Sequence, residues 1–201
     1  TDAQAAMMEL IAAQTQKKLP KLIMDPRFAK TTWERNNDFA EKYNEPGRFT
    51  ALIGYEWTSN AGGGDNLHRN VIYRDGKAKA DLVLPMTTFV SENPEDLWAW
   101  MANWETQTGG RLLAIPHNGN LSNGRMFPMI ESFTGKPVDR EYVEQRAKWE
   151  RLYETTQTKG TGEAHPFLSA NDEFADFEIW DKGNLDLSVA KDKSMLEFEY
   201  T

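Results

Sequence analysis

The sequence predicts an α/β fold, and three observations carry that prediction. Residues 50–55 and 112–115 are short runs of aliphatic, β-branched and aromatic residues suited to buried strands. Each run gives way to a polar side chain, Glu56 in the first case and, after Pro116, His117 in the second. Helical patterns with their own start and stop signals separate the strand-like runs, as alternating architectures require.

Taken in order, residues 3–18 read as a helix with Met7, Met8, Leu10 and Ile11 on one side, ended by Pro20. A short segment interrupted by Pro26 follows. A second helix is expected from about Thr32 to Tyr43, presenting Trp33, Phe39, Ala40 and Tyr43 on one packing face. The strand ending at Glu56 comes next, then SNAGGGDN. Its three glycines lack the lysine and the helix of a phosphate-binding loop, so they read as a flexible loop leading into a strand over 67–74. Asp75-Gly76 marks a turn, and residues 82–90 are expected to add short strands. Asn93-Pro94-Glu95-Asp96 supplies a cap, a first-turn proline and first-turn acids. In the helix it starts, Leu97, Trp100, Met101 and Trp104 take the spacing of a core stripe. After the strand over 112–115, residues 119–138 read as a long loop, 139–149 as a charged helix, and 151–157 as a strand placing Glu154 near its end. Residues 171–180 suggest a short acidic helix, and the last residues read as a helix cut short.

Composition narrows the function. The chain has 201 residues, enough for a sizeable core, to which seven tryptophans and ten phenylalanines contribute large buried areas. A net charge of −8 disfavours a nucleic-acid backbone as partner. There are no cysteines, which removes disulfides, thiolate metal sites and a cysteine nucleophile. No apolar stretch is long enough to span a bilayer, and the first residues do not form a secretory signal. Neither initiator methionine nor leader is present, so the sequence reads as an internal piece. Its compartment is therefore unread: exported if the preceding residues carry a signal, cytoplasmic otherwise.

The residues able to carry chemistry are few. His68, His117 and His165 are the only histidines, and each falls in a turn-prone or strand-end context, as do Glu56 and Glu154. Imidazole and carboxylate donors suit zinc, manganese or iron. Their long separations form no compact motif, so a site exists only if the fold gathers strand ends. No serine lies in G-x-S-x-G. A carboxylate pair such as Glu56 with Glu154 is an open alternative for glycoside hydrolysis, whose requirement is a separation in space that sequence does not give.

The segments IGYEWTS, NLHRNVIYRD, IPHNGNLSNGRMF and GEAHPFLSANDEFADFE resemble domain-of-unknown-function family 3604, a bacterial family, from about Arg48 onward. That family is similar in turn to the polymerase-and-histidinol-phosphatase (PHP) group of metal-dependent phosphoesterases. The resemblance implies a partial PHP-like distorted β/α barrel with long loops. Residues 1–47 would form an inserted helical segment and 48–201 the central part of a catalytic domain. It implies two or three divalent ions (Mn, Zn or Fe) in the full-length protein. Glu56 would be a bridging ligand, His68 and His117 ligands, Arg69 the partner of a substrate oxyanion, and Glu154 a supporting carboxylate. His165 matches the unknown-function family alone and stands as a further ligand candidate. The His-x-His that opens a PHP site and the Asp-x-His that closes it would lie before residue 1 and after residue 201. The expected function is thus metal-dependent hydrolysis of a small anionic phosphoester, with the isolated piece holding metal poorly. The alternative is a non-catalytic binding or structural domain whose tryptophans line a carbohydrate or protein surface.

Overall fold

Several helix starts in this protein are fixed by side chains that accept the first free amides. In the computed structural model, which describes residues 2–15, 23 and 25–200, the chain divides into two compact units. The first is Thr1–Ile53 with Tyr73–Pro85, and the second is Gly54–Ile72 with Met86–Thr201.

The first unit is helical. α1 (Asp2–Thr15) leaves Met7, Met8 and Leu10 exposed, against the expected apolar face. Its continuation to residue 18, the stop at Pro20 and the side chain of Ile11 lie outside the described residues. α2 (Pro26–Tyr43) begins well before Thr32, because Asp25 accepts from the Arg27 amide at 2.8 Å and Pro26 occupies the first helical position. Asp-Pro here starts a helix and does not interrupt the chain. The inward face of α2 also differs from expectation. Trp33 and Asn37 are buried while Phe39 and Tyr43 are exposed. Trp33 packs on the Tyr73 ring at 5.3 Å and donates its indole N–H to the Ala80 carbonyl, and Asn37 donates to Asp81 at 2.7 Å. Both partners flank or belong to α3 (Lys77–Ala80). The strands expected over 82–90 are replaced by turns and irregular chain.

The second unit holds the sheet. After β1 (Ile53–Trp57) the chain makes a hairpin from β2 (Asn60–Ala61) and β3 (Asp65–Asn66), then enters β4 (Arg69–Tyr73). β2 and β3 pair antiparallel, Asn60 opposite Asn66 and Ala61 opposite Asp65, so the three glycines are a tight turn and not a flexible loop. α4 (Pro94–Thr108) starts as the sequence indicates, with Asn93 accepting from the Glu95 amide, and stops at Gly109 in the left-handed region (φ 64°). β5 (Leu112–Pro116) completes a three-stranded sheet in the order β1-β4-β5. A side chain at Gly54 would place Cβ 2.9 Å from the Val71 carbonyl, so the approach of β1 to β4 requires glycine. α5 (Arg140–Trp149) is capped by Asp139. The strand expected over 151–157 shrinks to β6 (Thr156–Gln157), paired antiparallel with β7 (Gly160–Thr161). Residues 171–180 form turns without a helix, and Lys193–Phe198 is a 3-10 helix.

Among the described residues the strands thus form one three-stranded sheet and two hairpins, an α/β assembly without a closed barrel. No described helix is long and apolar enough to cross a membrane. Leu97, Met101 and Trp104 of α4 are buried as their spacing requires, with Trp98 rather than Trp100 as the fourth inward residue. Trp33, Trp57, Trp98, Trp104 and Trp149 are all buried, so most of the tryptophan serves the cores and not a surface.

Candidate metal centre

Three of the sequence-predicted site residues converge in the second unit. Glu56 is the penultimate residue of β1, His68 immediately precedes β4, and His117 immediately follows β5. One Glu56 oxygen, Oε1, lies 2.8 Å from His68 Nδ1 and 3.3 Å from His117 Nε2. The carboxyl ends of β1 and β5 therefore meet the amino end of β4. His68 reaches the cluster from the start of a strand, unlike the barrel arrangement in which every ligand leaves a carboxyl end.

Backbone contacts fix His68 from both sides. The Leu67 amide donates to the Ser59 carbonyl, extending the hairpin, and the His68 amide donates to the Asn66 side chain at 2.8 Å. The His68 carbonyl accepts the His117 amide at 3.3 Å, which ties the two histidine-bearing segments together. The rings stand edge to face with centroids 5.6 Å apart. Both are about 5% exposed, whereas the Glu56 side chain is 45% exposed, so the cluster has buried imidazoles behind a carboxylate open to solvent.

The protonation states follow from these surroundings. His117, then His68, hold the Glu56 carboxyl far below the ordinary carboxylate range. Burial lowers the pKa of His68, although Glu56 opposes that effect. Lys159, on the β6–β7 turn, lies near enough for its charge to disfavour a protonated His68 as well. An ionised carboxylate beside a neutral imidazole is the state that metal ligation needs.

The donor set fits a divalent cation. Glu56, His68 and His117 offer one ligand atom each, all within 4.8 Å of one another, and they are the one such group found among the described residues. Bonds of about 2.0–2.2 Å place neighbouring donors about 3–3.5 Å apart, close to the 2.8 and 3.3 Å separations here. Among the described residues His68 Nδ1 and His117 Nδ1 are buried without a hydrogen-bond partner, and the 2.8 Å approach of Glu56 to His68 lacks hydrogen-bond alignment. Two imidazoles and a carboxylate suit zinc, iron or manganese and leave coordination positions open.

The other predicted residues have different surroundings. Arg69 is 1% exposed and faces Glu150, with Nε 2.9 Å from Oε1, and it also donates to the Leu67 carbonyl. Glu150, equally buried, accepts from the Trp98 indole at 2.8 Å and pairs with Arg146 at 3.0 Å. Burial pushes the Glu150 carboxyl up, but Arg69 and Arg146 outweigh it and hold the group below its ordinary value. Glu154 approaches β5 through its backbone, donating to the Pro116 carbonyl, while its carboxylate accepts from Gln157. Both nitrogens of His165 are engaged: Nδ1 accepts the Phe167 amide at 3.1 Å, and Nε2 lies 2.9 Å from Asp181. Sequence reading missed Asn60, whose Oδ1 lies 2.8 Å from His68 Nε2, and Lys159. Position within the glycine-rich segment was the sole hint of Asn60.

Fold and cluster together define a mixed α/β protein with a two-histidine, one-carboxylate group at one end of its sheet. The chain matches the family described as "Protein of unknown function (DUF3604)" over residues 1–201 and belongs to that family. No curated protein and no solved structure matches it.

Proposed function

We propose that this chain holds the metal of a metal-dependent hydrolase acting on small phosphoesters, built on a partial PHP-like barrel. The convergence of Glu56, His68 and His117 carries this reading. A bound divalent ion would supply Lewis acidity and lower the pKa of water to make a nucleophile. Glu56, His68 and His117 are the residues to hold it. Glu56, at the open side of the group, faces the side from which substrate and water arrive. The buried rings behind it keep solvent from the other side of the site. Lys159 adds a positive charge that favours an anionic substrate in an otherwise acidic protein.

The test is elemental analysis and phosphoester turnover of the full-length protein, purified without chelator, beside Glu56→Ala and His117→Ala. Stoichiometric zinc, manganese or iron in the wild type, lost with turnover in both variants, is the expected result. Unchanged metal content and hydrolysis in the two variants would sink the proposal.

A further inference from the structure

We infer that Asn60 is a positioning residue that locks His68 into a single tautomer, with the proton on Nε2 and the Nδ1 lone pair presented beside Glu56. This rests on the metal-centre reading for its purpose but not for its geometry. Asn60 Oδ1 faces His68 Nε2 at 2.8 Å, and an amide oxygen only accepts, which places the proton on Nε2; the opposite turn of the amide would place it on Nδ1, and the test below separates the two. A neutral imidazole then has its lone pair at Nδ1, the nitrogen that lies 2.8 Å from the Glu56 carboxylate. Among the described residues Nδ1 makes no aligned hydrogen bond, so its lone pair is left without a proton donor. The contact becomes favourable when a cation lies between the two.

The hairpin holds this arrangement in place. Asn60 stands opposite Asn66 across β2 and β3, Asn66 accepts the His68 amide, and the Leu67 amide bonds to Ser59 beside Asn60. Asn60 and His68 are thus carried on the two arms of one hydrogen-bonded hairpin. Side chains that fix a ligating imidazole through its outer nitrogen alter metal affinity by roughly 10–100-fold when removed. Among the described residues His117 has no such partner at its outer nitrogen, Nδ1, so the lock applies to one histidine of the pair.

The test is long-range ¹H–¹⁵N correlation of the three histidine rings, with His68 assigned from a His68→Gln variant. It is run on the wild type and on Asn60→Leu, Asn60→Ser and Asn60→Asp, before and after Zn²⁺. The expected wild-type spectrum shows His68 protonated on Nε2, with Nδ1 shifting on Zn²⁺ addition. Asn60→Leu and Asn60→Ser, which retain the backbone of the hairpin, should mix the tautomers and weaken Zn²⁺ binding by roughly 10–100-fold. Asn60→Asp should preserve the tautomer. A wild-type proton on Nδ1, or tautomer and affinity unchanged in Asn60→Leu and Asn60→Ser, overturns the inference. Absence of Zn²⁺ binding by a wild type with the Nε2 proton overturns the metal reading and leaves the lock standing.

Discussion

Replacing Arg69 with methionine tests whether this arginine serves the fold or the substrate. The substitution leaves Glu150, 1% exposed, with Arg146 and the Trp98 indole as its remaining partners. Removing one member of a buried ion pair costs about 3–5 kcal/mol, because the other charge stays desolvated. For a chain of this size that corresponds to roughly 6–20 °C in Tm. Adding Glu150→Gln neutralises the stranded charge while leaving an amide oxygen for Trp98, so R69M/E150Q should recover much of the loss. The pH response has a definite sign. In the wild type Glu150 titrates below its unfolded value, so its contribution is present above that value and lost as pH falls through the folded one. In R69M burial is opposed by Arg146 and the Trp98 indole alone, so the carboxyl moves up and the deficit relative to wild type should shrink on acidification. Equilibrium urea unfolding from pH 4 to 8, with zinc titration of the folded variants, measures both. A cost under about 1 kcal/mol, typical of an exposed pair, or additive damage in the double variant, would refute the argument. If R69M/E150Q regains stability and metal but not hydrolysis, Arg69 meets the substrate oxyanion after all.

Two further predictions concern stability. Burial pushes the Glu199 carboxyl up to about 7, although Lys191 lies 2.7 Å away and opposes this. A raised folded pKa gives stability that is fully present below the unfolded value of 4.5 and lost as pH rises through about 7. Glu199→Gln should therefore gain on wild type by up to about 3 kcal/mol between pH 4.5 and 8, and parallel thermal melts across that range would count against it. Gly54→Val forces Cβ into the Val71 carbonyl and should cost about 1–3 kcal/mol, with Gly54→Ala milder; chemical denaturation equal to wild type would show that β1 can retreat from β4.

Local chemistry was legible where it is self-contained. Asn93 with Pro94, and Asp139 before α5, announce their helices because cap and first turn are adjacent in sequence. Asp25-Pro26 carries the same signal, but proline stops a helix as readily as it starts one, so the pair points both ways. The inward face of α2 was not legible, because a buried Asn37 depends on Asp81, far along the chain. Glu56, His68 and His117 were identifiable as candidates from residue type and context. Their convergence needed the sheet order, which no local pattern encodes. The three histidines look alike in sequence and all are buried. What separates His165 is the Phe167 amide and Asp181 taking up its nitrogens, contacts that only the folded chain reveals.

The glycine turn between β2 and β3 sets a length constraint on the chemistry beside it. Asn60 and His68 sit on opposite arms, so their contact survives only while Gly62, Gly63 and Gly64 span the turn in this register. One residue added or removed there would shift the pairing and send Asn60 to the opposite face of its strand, with Glu56 and His117 untouched. Loop length thereby becomes a dial on the second nitrogen of His68, adjustable by insertion or deletion in a turn that touches no ligand directly.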